Sequence, residues 1–388
     1  MKRKLLLPAG VVLACLLLQA KVNILGYWWE NPMPYQEPPK PLTSLSAQEC
    51  GACHQEIYRE WKLSAHAHAL SDLQFQAELK KSPETAWLCM NCHTPLENQL
   101  PTITVGVRNK STHQPIVRKN ARFDATLREE AITCAVCHVR DGFVIGPYGD
   151  SKAPHPVRKD TALLTETGCT QCHQATASYT DTLVCSFDTG GEWKASPYAK
   201  NEQSCTHCHM PAVERSIAVG GPKRASRRHL FIGSKIPKVI GTNAELKKYY
   251  DLFRPGLTVD ILSAVRTGSR AVVALKLKNA YAGHLLPTGD PERYILVHVK
   301  VNDQLRTIRI GQEWEWWPKA RKLSDNRMKP LEERIEKLEF PLASKAPATL
   351  KVTVRNVRLN EKNARYHNLI GKYPLDAEVL SLPARTLR

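Results

Sequence analysis

Long apolar stretches are scarce between residues 45 and 235, where few apolar side chains follow helix or strand spacing. A region of this kind cannot build an ordinary hydrophobic core from its own side chains. The whole chain is nevertheless 42% hydrophobic, which excludes wholesale disorder. We therefore expect something other than polypeptide to fill the interior of this region.

Acidic residues are also few, with 37 Asp and Glu against 55 Lys and Arg, which gives a formal charge of +18. Such an excess is typical of proteins that bind nucleic acid or membrane surfaces. Here the basic residues are spread out, and no basic patch interleaved with aromatic residues occurs. We do not expect nucleic acid as a partner. An acidic partner protein and internal anionic groups both remain compatible with the charge.

One long apolar run is present, from Leu5 to Leu18, directly after Lys2, Arg3 and Lys4. A basic start followed by an apolar stretch is typical of an export signal. Cleavage near Ala20 would release the protein, whereas an uncleaved segment extending through residue 29 would anchor it to a membrane. Lipidation at Cys15 is a third alternative. In each case we expect the rest of the chain to be exported, to the periplasm or the extracytoplasmic face of the membrane.

The composition divides the chain into five parts. Residues 1–29 form the signal or anchor, and the proline-rich residues 30–44 form a spacer. Residues 45–235 carry the cysteine motifs, and we expect this domain to be helical or irregular with little regular structure. Residues 256–360 lack cysteine and alternate apolar and polar side chains in six or seven short segments, which predicts an all-β, immunoglobulin-like sandwich. Residues 361–388 are a polar tail without a predicted element.

The motif C-x-x-C-H occurs five times, which accounts for ten of the 12 cysteines. The five copies are Cys50-Cys53-His54, Cys89-Cys92-His93, Cys134-Cys137-His138, Cys169-Cys172-His173 and Cys205-Cys208-His209. Two thiols at this spacing can add to the two vinyl groups of one haem, and the next histidine then binds the iron. Zinc sites or disulfides would use the cysteines but leave the five histidines unexplained. The pattern predicts five covalently bound haem c groups, with these histidines as proximal iron ligands.

The first motif fits a helix over residues 47–62. In that helix Cys50, Cys53, His54 and the apolar Ile57 and Trp61 share one face. Thiols, iron ligand and apolar groups would then face the same haem.

Nine of the 14 histidines lie outside the motif ends and could supply second ligands to the iron atoms. An iron with two imidazoles is suited to electron transfer, whereas an iron with an open position can bind a small molecule. Nine spare histidines for five irons permit two imidazoles at every iron. Cys185 stands outside the motifs and is interpreted as a buried structural thiol.

The segment from residue 50 to 69, "CGACHQEIYREWKLSAHAHA", resembles the opening of the cytochrome c-554/c-prime family of multihaem cytochromes. "CHTP" at 92–95, "ITCAVCH" at 132–138, "APHPV" at 153–157, "CTHCHMP" at 205–211 and "HLFIG" at 229–233 follow in the family's order. "NAYAGHLLPTGDPER" at 279–293 resembles a signature of the β-domain that often follows. The family's namesake has four haem motifs and this chain has five, so the ligand pairing cannot be copied.

The resemblance implies His66, His155 and His229 as distal iron ligands. His284, in a turn rich in glycine and proline, is expected to reach from the β-domain into the haem domain. His68 is the alternative to His66, and His113 is a weaker candidate. The remaining histidines, His207, His298 and His367, are interpreted as ordinary surface, sheet and tail residues.

Three functions compete on this basis. The first is an exported multihaem cytochrome that carries electrons between redox partner proteins along closely spaced haems, mostly with two histidine ligands. The second is an oxidoreductase acting on a nitrogen or sulfur compound, such as nitrite or hydroxylamine, at one open haem. The C-x-x-C-K motif of nitrite reductases is absent, which favours the carrier. The third is a structural role, in an oligomer or filament.

Overall fold

The structure is a computed structural model that describes residues 24–109, 111–149, 152–181, 184–343 and 346–387. Most of the predicted signal or anchor, residues 1–23, lies outside these ranges. Within the described ranges, no helix combines the length and the apolar character that crossing a bilayer requires.

The predicted haem-binding region, residues 45–235, contains short helices joined by turns. The α-helices, in order, are Ala47–Cys53 (α1), Gln55–Leu63 (α2), Leu73–Leu79 (α3), Ala86–His93 (α4), Ala125–Glu129 (α5), Cys134–His138 (α6), Thr167–Thr170 (α7), Thr189–Lys194 (α8), Pro197–Lys200 (α9) and Cys205–His209 (α10), with Asn243–Lys247 (α11) following the region. Single 3₁₀ turns occupy Pro83–Thr85, Glu97–Gln99, Ala162–Leu164 and Tyr250–Leu252. Helices this short are not stable in isolation and depend on packing.

The helix predicted over residues 47–62 is divided in two at His54. Ser46 caps the first half, because its hydroxyl accepts a hydrogen bond from the Gln48 N–H at 3.1 Å. His54 then leaves helical geometry, with ψ at 49°. Its ring nitrogen Nδ1 lies 2.6 Å from the carbonyl oxygen of Ile217, far along the chain. This tertiary hydrogen bond accompanies the break, which local sequence spacing could not predict.

Short strands connect the helices of this region. They are Thr102–Asn109 (β1), Gln114–Lys119 (β2), Val139–Arg140 (β3), Phe143–Gly146 (β4), Val157–Lys159 (β5), Ala175–Ser178 (β6), Val184–Phe187 (β7), Ala212–Ser216 (β8) and Lys223–Arg227 (β9). β1–β2, β6–β7 and β8–β9 form antiparallel pairs, and β3, β4 and β5 form a small mixed sheet. The apolar side chains gather in small separate clusters rather than one core. This agrees with a region whose interior is not filled by polypeptide alone.

The C-terminal region consists mainly of antiparallel strands. They are Leu257–Thr267 (β10), Arg270–Asn279 (β11), Tyr294–Val301 (β12), Gln304–Glu315 (β13), Arg321–Asp325 (β14), Glu333–Pro341 (β15), Ala348–Val357 (β16), Asp376–Ser381 (β17) and Arg385–Leu387 (β18). One sheet has the order β10-β11-β15, and the other has the order β14-β13-β12-β16-β17, with β18 also beside β16. Alternate side chains from both sheets form one apolar core, around Leu275, Val297 and Leu350.

The tail after residue 360 belongs to this region. It contains the helix Glu361–Tyr366 (α12) followed by β17 and β18, both paired with β16. The sequence predicts no element here, but Val379 and Leu380 of β17 and Leu387 of β18 pack on the core between the two sheets.

The tail contacts a buried ion pair between Asp72 and Lys238. The Lys238 ammonium lies 2.6 Å from a carboxylate oxygen of Asp72, and the Tyr373 hydroxyl donates to the same carboxylate at 2.6 Å. Asp72 also caps α3, accepting the Phe75 N–H at 2.8 Å. Arg358 of the β-region donates to the carbonyl of Ile236 at 2.6 Å. These contacts fix the strand-rich region against the helical one.

Candidate haem sites

Each C-x-x-C-H motif lies on one turn of helix. The first four residues of the motif bring both thiols to one side, and the histidine follows at the helix end. In the fourth motif, α7 ends at Thr170 and the turn continues to His173, whose N–H donates to the Cys169 carbonyl at 3.0 Å. The described cysteines are free thiols without disulfides. Each pair therefore keeps both sulfurs available for thioether bonds.

Four of the motif histidines face another histidine. The pairs, with their ring-centroid distances, are His54–His155 at 6.4 Å, His138–His229 at 6.2 Å, His66–His173 at 6.2 Å and His209–His284 at 6.3 Å. The similarity of the four distances indicates a common geometric cause.

One metal ion between two imidazoles accounts for this distance. Imidazole nitrogens bind metals at about 2.0–2.1 Å, which places two ring centres on opposite sides of one metal roughly 6.3 Å apart. Direct stacking of two rings would bring their centres closer together. A chance arrangement would not give the same distance at four separate pairs. The residues present therefore fit a haem iron between each pair.

Backbone carbonyls fix the orientation of most of these rings. The ring Nδ1 atoms bond to the carbonyls of Ile217 (from His54), Ala69 (from His93), Ile145 (from His138), Ile232 (from His209), Arg227 (from His229) and Leu285 (from His284), at 2.6 to 3.0 Å. A ring that donates its Nδ1–H in this way presents an unprotonated Nε2, the atom that binds a metal.

Burial keeps these imidazoles neutral. It lowers the pKa of His66 to about 3 and the pKa of His93, His173, His229 and His284 to about 4. A metal-binding imidazole must be unprotonated, and these surroundings favour that state.

His93, in the second motif, differs from the other four motif histidines. Within the described residues no second imidazole stands opposite its ring. Phe75 of α3 stacks on the His93 ring instead, with centroids 3.5 Å apart and planes 5° from parallel. The second motif thus has a proximal histidine without a histidine partner.

His113 and Cys185 lie close to this second motif. His113 is at the turn between β1 and β2, 6.0 Å from the Tyr179 ring, and its buried Nδ1 has no hydrogen-bond partner in the described structure. Cys185, on β7, packs in an apolar cluster with Tyr179 and Leu88 of α4. Burial raises the pKa of the Cys185 thiol to about 12, so it remains protonated and unreactive.

The rings of the remaining histidines contact groups other than a motif histidine. His68, the alternative to His66, places its Nε2 3.1 Å from the carbonyl of Lys62. The ring of His207 contacts the Ser204 hydroxyl at 3.2 Å, and His298 on β12 contacts the Thr307 hydroxyl at 3.0 Å. His367 lies 3.5 Å from a carboxylate oxygen of Glu78. None of these rings faces a motif histidine.

Cysteines of different motifs touch one another. Cys50 contacts Cys134, Cys92 contacts Cys172, and Cys169 contacts Cys205, each through the sulfur atoms. These contacts link the first motif to the third, the second to the fourth, and the fourth to the fifth. Across the described residues, no group of three or more His, Cys, Asp and Glu side chains has the arrangement of a bare metal site.

Sequence reasoning did not single out a buried ionic cluster beside one histidine pair. Glu60 of α2 contacts Arg215 and Arg228, and it accepts a hydrogen bond from the main chain of His229. A glutamate in an amphipathic helix gives no signal of burial. The adjacency of Arg228 to His229 in the sequence is the one local hint.

Two comparisons with known proteins agree with this geometry. The family described as Cytochrome c554 and c-prime matches residues 49–114, which include the first two motifs. The crystal structure of a penta-haem cytochrome c552 from Thermochromatium tepidum is similar in fold, with a TM-score of 0.62 at 16% identity. The similarity covers 88% of this chain and 98% of that one. No curated protein sequence matches the chain significantly.

The motifs, the family match and the fold point to one class, the multihaem cytochromes c: residues 49–114 match the family, and the fold is similar to that of a penta-haem cytochrome. Proteins of this class transfer electrons through covalently bound haem c. Within the class, the chain is similar to cytochrome c554 and c-prime at its first two motifs. The strand-rich C-terminal region is consistent with the β-domain expected from the sequence.

Proposed function

We propose that the chain is an exported electron carrier that binds five haem c groups, four of them between two histidines. The observation that carries this proposal is the set of four histidine pairs at 6.2 to 6.4 Å. Two imidazoles close the coordination of an iron and leave it suited to electron transfer rather than to substrate binding.

The proposed ligands follow from the motifs and the pairs. The thioether cysteines are Cys50, Cys53, Cys89, Cys92, Cys134, Cys137, Cys169, Cys172, Cys205 and Cys208. The proximal ligands are His54, His93, His138, His173 and His209, and the distal ligands are His155, His229, His66 and His284, for the first, third, fourth and fifth haem.

The contacts between motifs support close spacing of the haems. Sulfur contacts join three pairs of motifs, and each of these sulfurs would be bonded to the edge of its own haem. Phe231 links two further sites, because its ring lies 4.4 Å from that of His66 and 5.9 Å from that of His229. Contacts of this kind favour rapid electron exchange among all five haems.

The proposal also covers the location, the partners and the C-terminal fold of the carrier. Haem c attachment in the family supports export, and haem propionates would offset part of the charge of +18. We propose redox proteins as the partners, and an immunoglobulin-like sandwich as the fold of the strand-rich region. Association with a membrane through residues 1–29, and an oligomer, remain hypotheses.

Mass spectrometry and electron paramagnetic resonance (EPR) on the purified protein test the proposal together. We expect a mass equal to the polypeptide plus five haems, with four low-spin signals typical of two histidine ligands. A colourless product, or fewer than four such signals, would contradict it. Size-exclusion chromatography with light scattering on the same sample reports the oligomeric state.

A second candidate function concerns the second motif, because no imidazole in the described part of the chain faces His93. An iron with an open position there could bind a small nitrogen or sulfur compound, as in the oxidoreductase hypothesis. EPR of the oxidised protein with and without nitrite or hydroxylamine tests this function. A high-spin signal that changes on addition would support it, and a spectrum without high-spin iron would exclude it.

A further inference from the structure

Glu60 is a buried carboxylate outside the motifs. Its side chain is 2% exposed, on the helix that follows the first motif. Arg215, 5% exposed, donates to both carboxylate oxygens at 2.9 and 3.1 Å, and Arg228 donates to one of them at 2.5 Å. A charge removed from water to this extent requires such partners.

A further hydrogen bond connects Glu60 to a proposed iron ligand. The main-chain N–H of His229 donates to Glu60 Oε2 at 2.9 Å. The ring of the same residue donates from Nδ1 to the Arg227 carbonyl at 2.9 Å. Arg215 also donates to that carbonyl, at 2.7 Å. The cluster thus holds the backbone that leads into His229, at the Arg227 carbonyl and at the His229 N–H.

The charges in this cluster do not balance without Glu60. Two guanidinium groups face one buried carboxylate, and the nearby Glu56 is about half exposed and 3.9 Å from each arginine. The Nε–H of Arg215 is buried without a hydrogen-bond partner among the described residues. Glu60 therefore supplies the main negative charge next to the His138–His229 site.

We propose that Glu60 is a positioning residue for His229, fixing the distal ligand of the third haem and setting that haem's potential through its charge. The inference rests on the proposed ligation of the third haem by His138 and His229. Glu60 lies on α2, the helix directly after the first motif, so the same residue connects the neighbourhood of the first haem site to the ligand of the third.

The substitution Glu60→Gln tests the charge while keeping the shape and an acceptor for the His229 N–H. We expect the midpoint potential of one haem to rise, because uncompensated positive charge favours the ferrous iron. Glu56→Gln is the matched control, since it removes the same charge one turn earlier on the same helix without a bond to His229. It should shift that potential much less.

Glu60→Ala tests the positioning, because it removes the acceptor of the His229 N–H. We expect one low-spin EPR signal to change its g-values or to become partly high-spin. Glu60→Asp, which keeps the charge and shortens the side chain, should leave the potential close to that of the wild type while still altering the signal. A haem count by mass and a circular dichroism spectrum establish that each variant is folded.

The outcomes separate this inference from the proposed function. If the wild type lacks low-spin signals of two histidine ligands, the proposed function fails. If the wild type has them and the Gln, Ala and Asp variants leave every haem signal and potential unchanged, Glu60 is a structural residue and the inference is wrong. Equal shifts with Glu56→Gln and Glu60→Gln would also contradict it.

Discussion

His284 of the strand-rich region faces His209 of the fifth motif, with ring centroids 6.3 Å apart and planes 12° from parallel. His284 lies in the turn between β11 and β12, where its Nδ1 bonds to the Leu285 carbonyl at 2.8 Å. The strand-rich region therefore places an imidazole opposite a motif histidine of the other part of the chain.

Substitution of His284 should change one haem of five. His284→Gly removes the second imidazole, and we expect a new high-spin EPR signal together with carbon monoxide binding at that haem. His284→Met supplies a thioether in its place, which should raise one midpoint potential. His298→Ala, also in this region but bonded to the Thr307 hydroxyl, is the control and should leave the spectra unchanged. Unaltered spectra in both His284 variants would exclude it as a ligand.

His66 and His68 should differ although they are two residues apart. His66 faces His173 at 6.2 Å, whereas His68 places its Nε2 against the Lys62 carbonyl. We expect His66→Ala to convert one low-spin haem to high-spin, and His68→Ala to leave the EPR spectrum as in the wild type. The opposite result would show that the two histidines exchange roles when haem is bound.

His113 provides a test of the second haem site. Its ring does not face His93, so His113→Ala should leave the number of high-spin signals as in the wild type. If the substitution creates a new high-spin signal, His113 binds the second iron in the holoprotein, and the oxidoreductase hypothesis loses its open position.

The Asp72–Lys238 ion pair should stabilise the fold strongly. Removing one partner leaves a buried charge, and Lys238→Met should lower the free energy of unfolding by about 3–5 kcal/mol. Urea denaturation followed by tryptophan fluorescence measures this loss. The double variant Asp72→Asn with Lys238→Met should lose less than the sum of the two single variants, because neither charge then remains unpaired.

This stabilisation should depend on pH. Burial alone would raise the pKa of Asp72, but the Lys238 ammonium and the hydrogen bonds to Tyr373 and Phe75 bring its pKa below the ordinary value. The contribution is then complete between the unfolded pKa of Asp72, about 3.9, and the pKa of Lys238, which burial lowers to about 8, and it is lost as the pH falls through the lower folded pKa of Asp72. The stability difference between wild type and Asp72→Asn should shrink in that window. A difference that stays constant down to the lowest pH would contradict it.

The sequence predicts which histidines lie near a motif histidine better than it predicts the partner of each. His66, His155, His229 and His284 were identified through short motifs, and the structure places each of them opposite a motif histidine. The partner of His66 is in the fourth motif and the partner of His155 is in the first. Such pairings depend on how distant segments pack, which residue spacing does not encode.

The same limit applies to the strands and to Glu60. β10 to β13, β15 and β16 alternate apolar and polar side chains, so they were predictable. β14 has one apolar residue, and the short β17 and β18 pair with β16 in a tail without a predicted element. Glu60 is buried because Arg215, Arg228 and the His229 N–H meet it in space. Residues whose roles depend on partners distant in sequence can be identified only from the folded structure.

The position of His284 also bears on how the protein matures. On the proposed ligation, the first four haem sites draw their imidazoles from residues up to His229, and the fifth requires His284, in the turn between β11 and β12. The His284 codon must be translated before the iron of the fifth haem can acquire its second ligand. Nascent chains released earlier would present one reactive iron to the compartment in which they emerge.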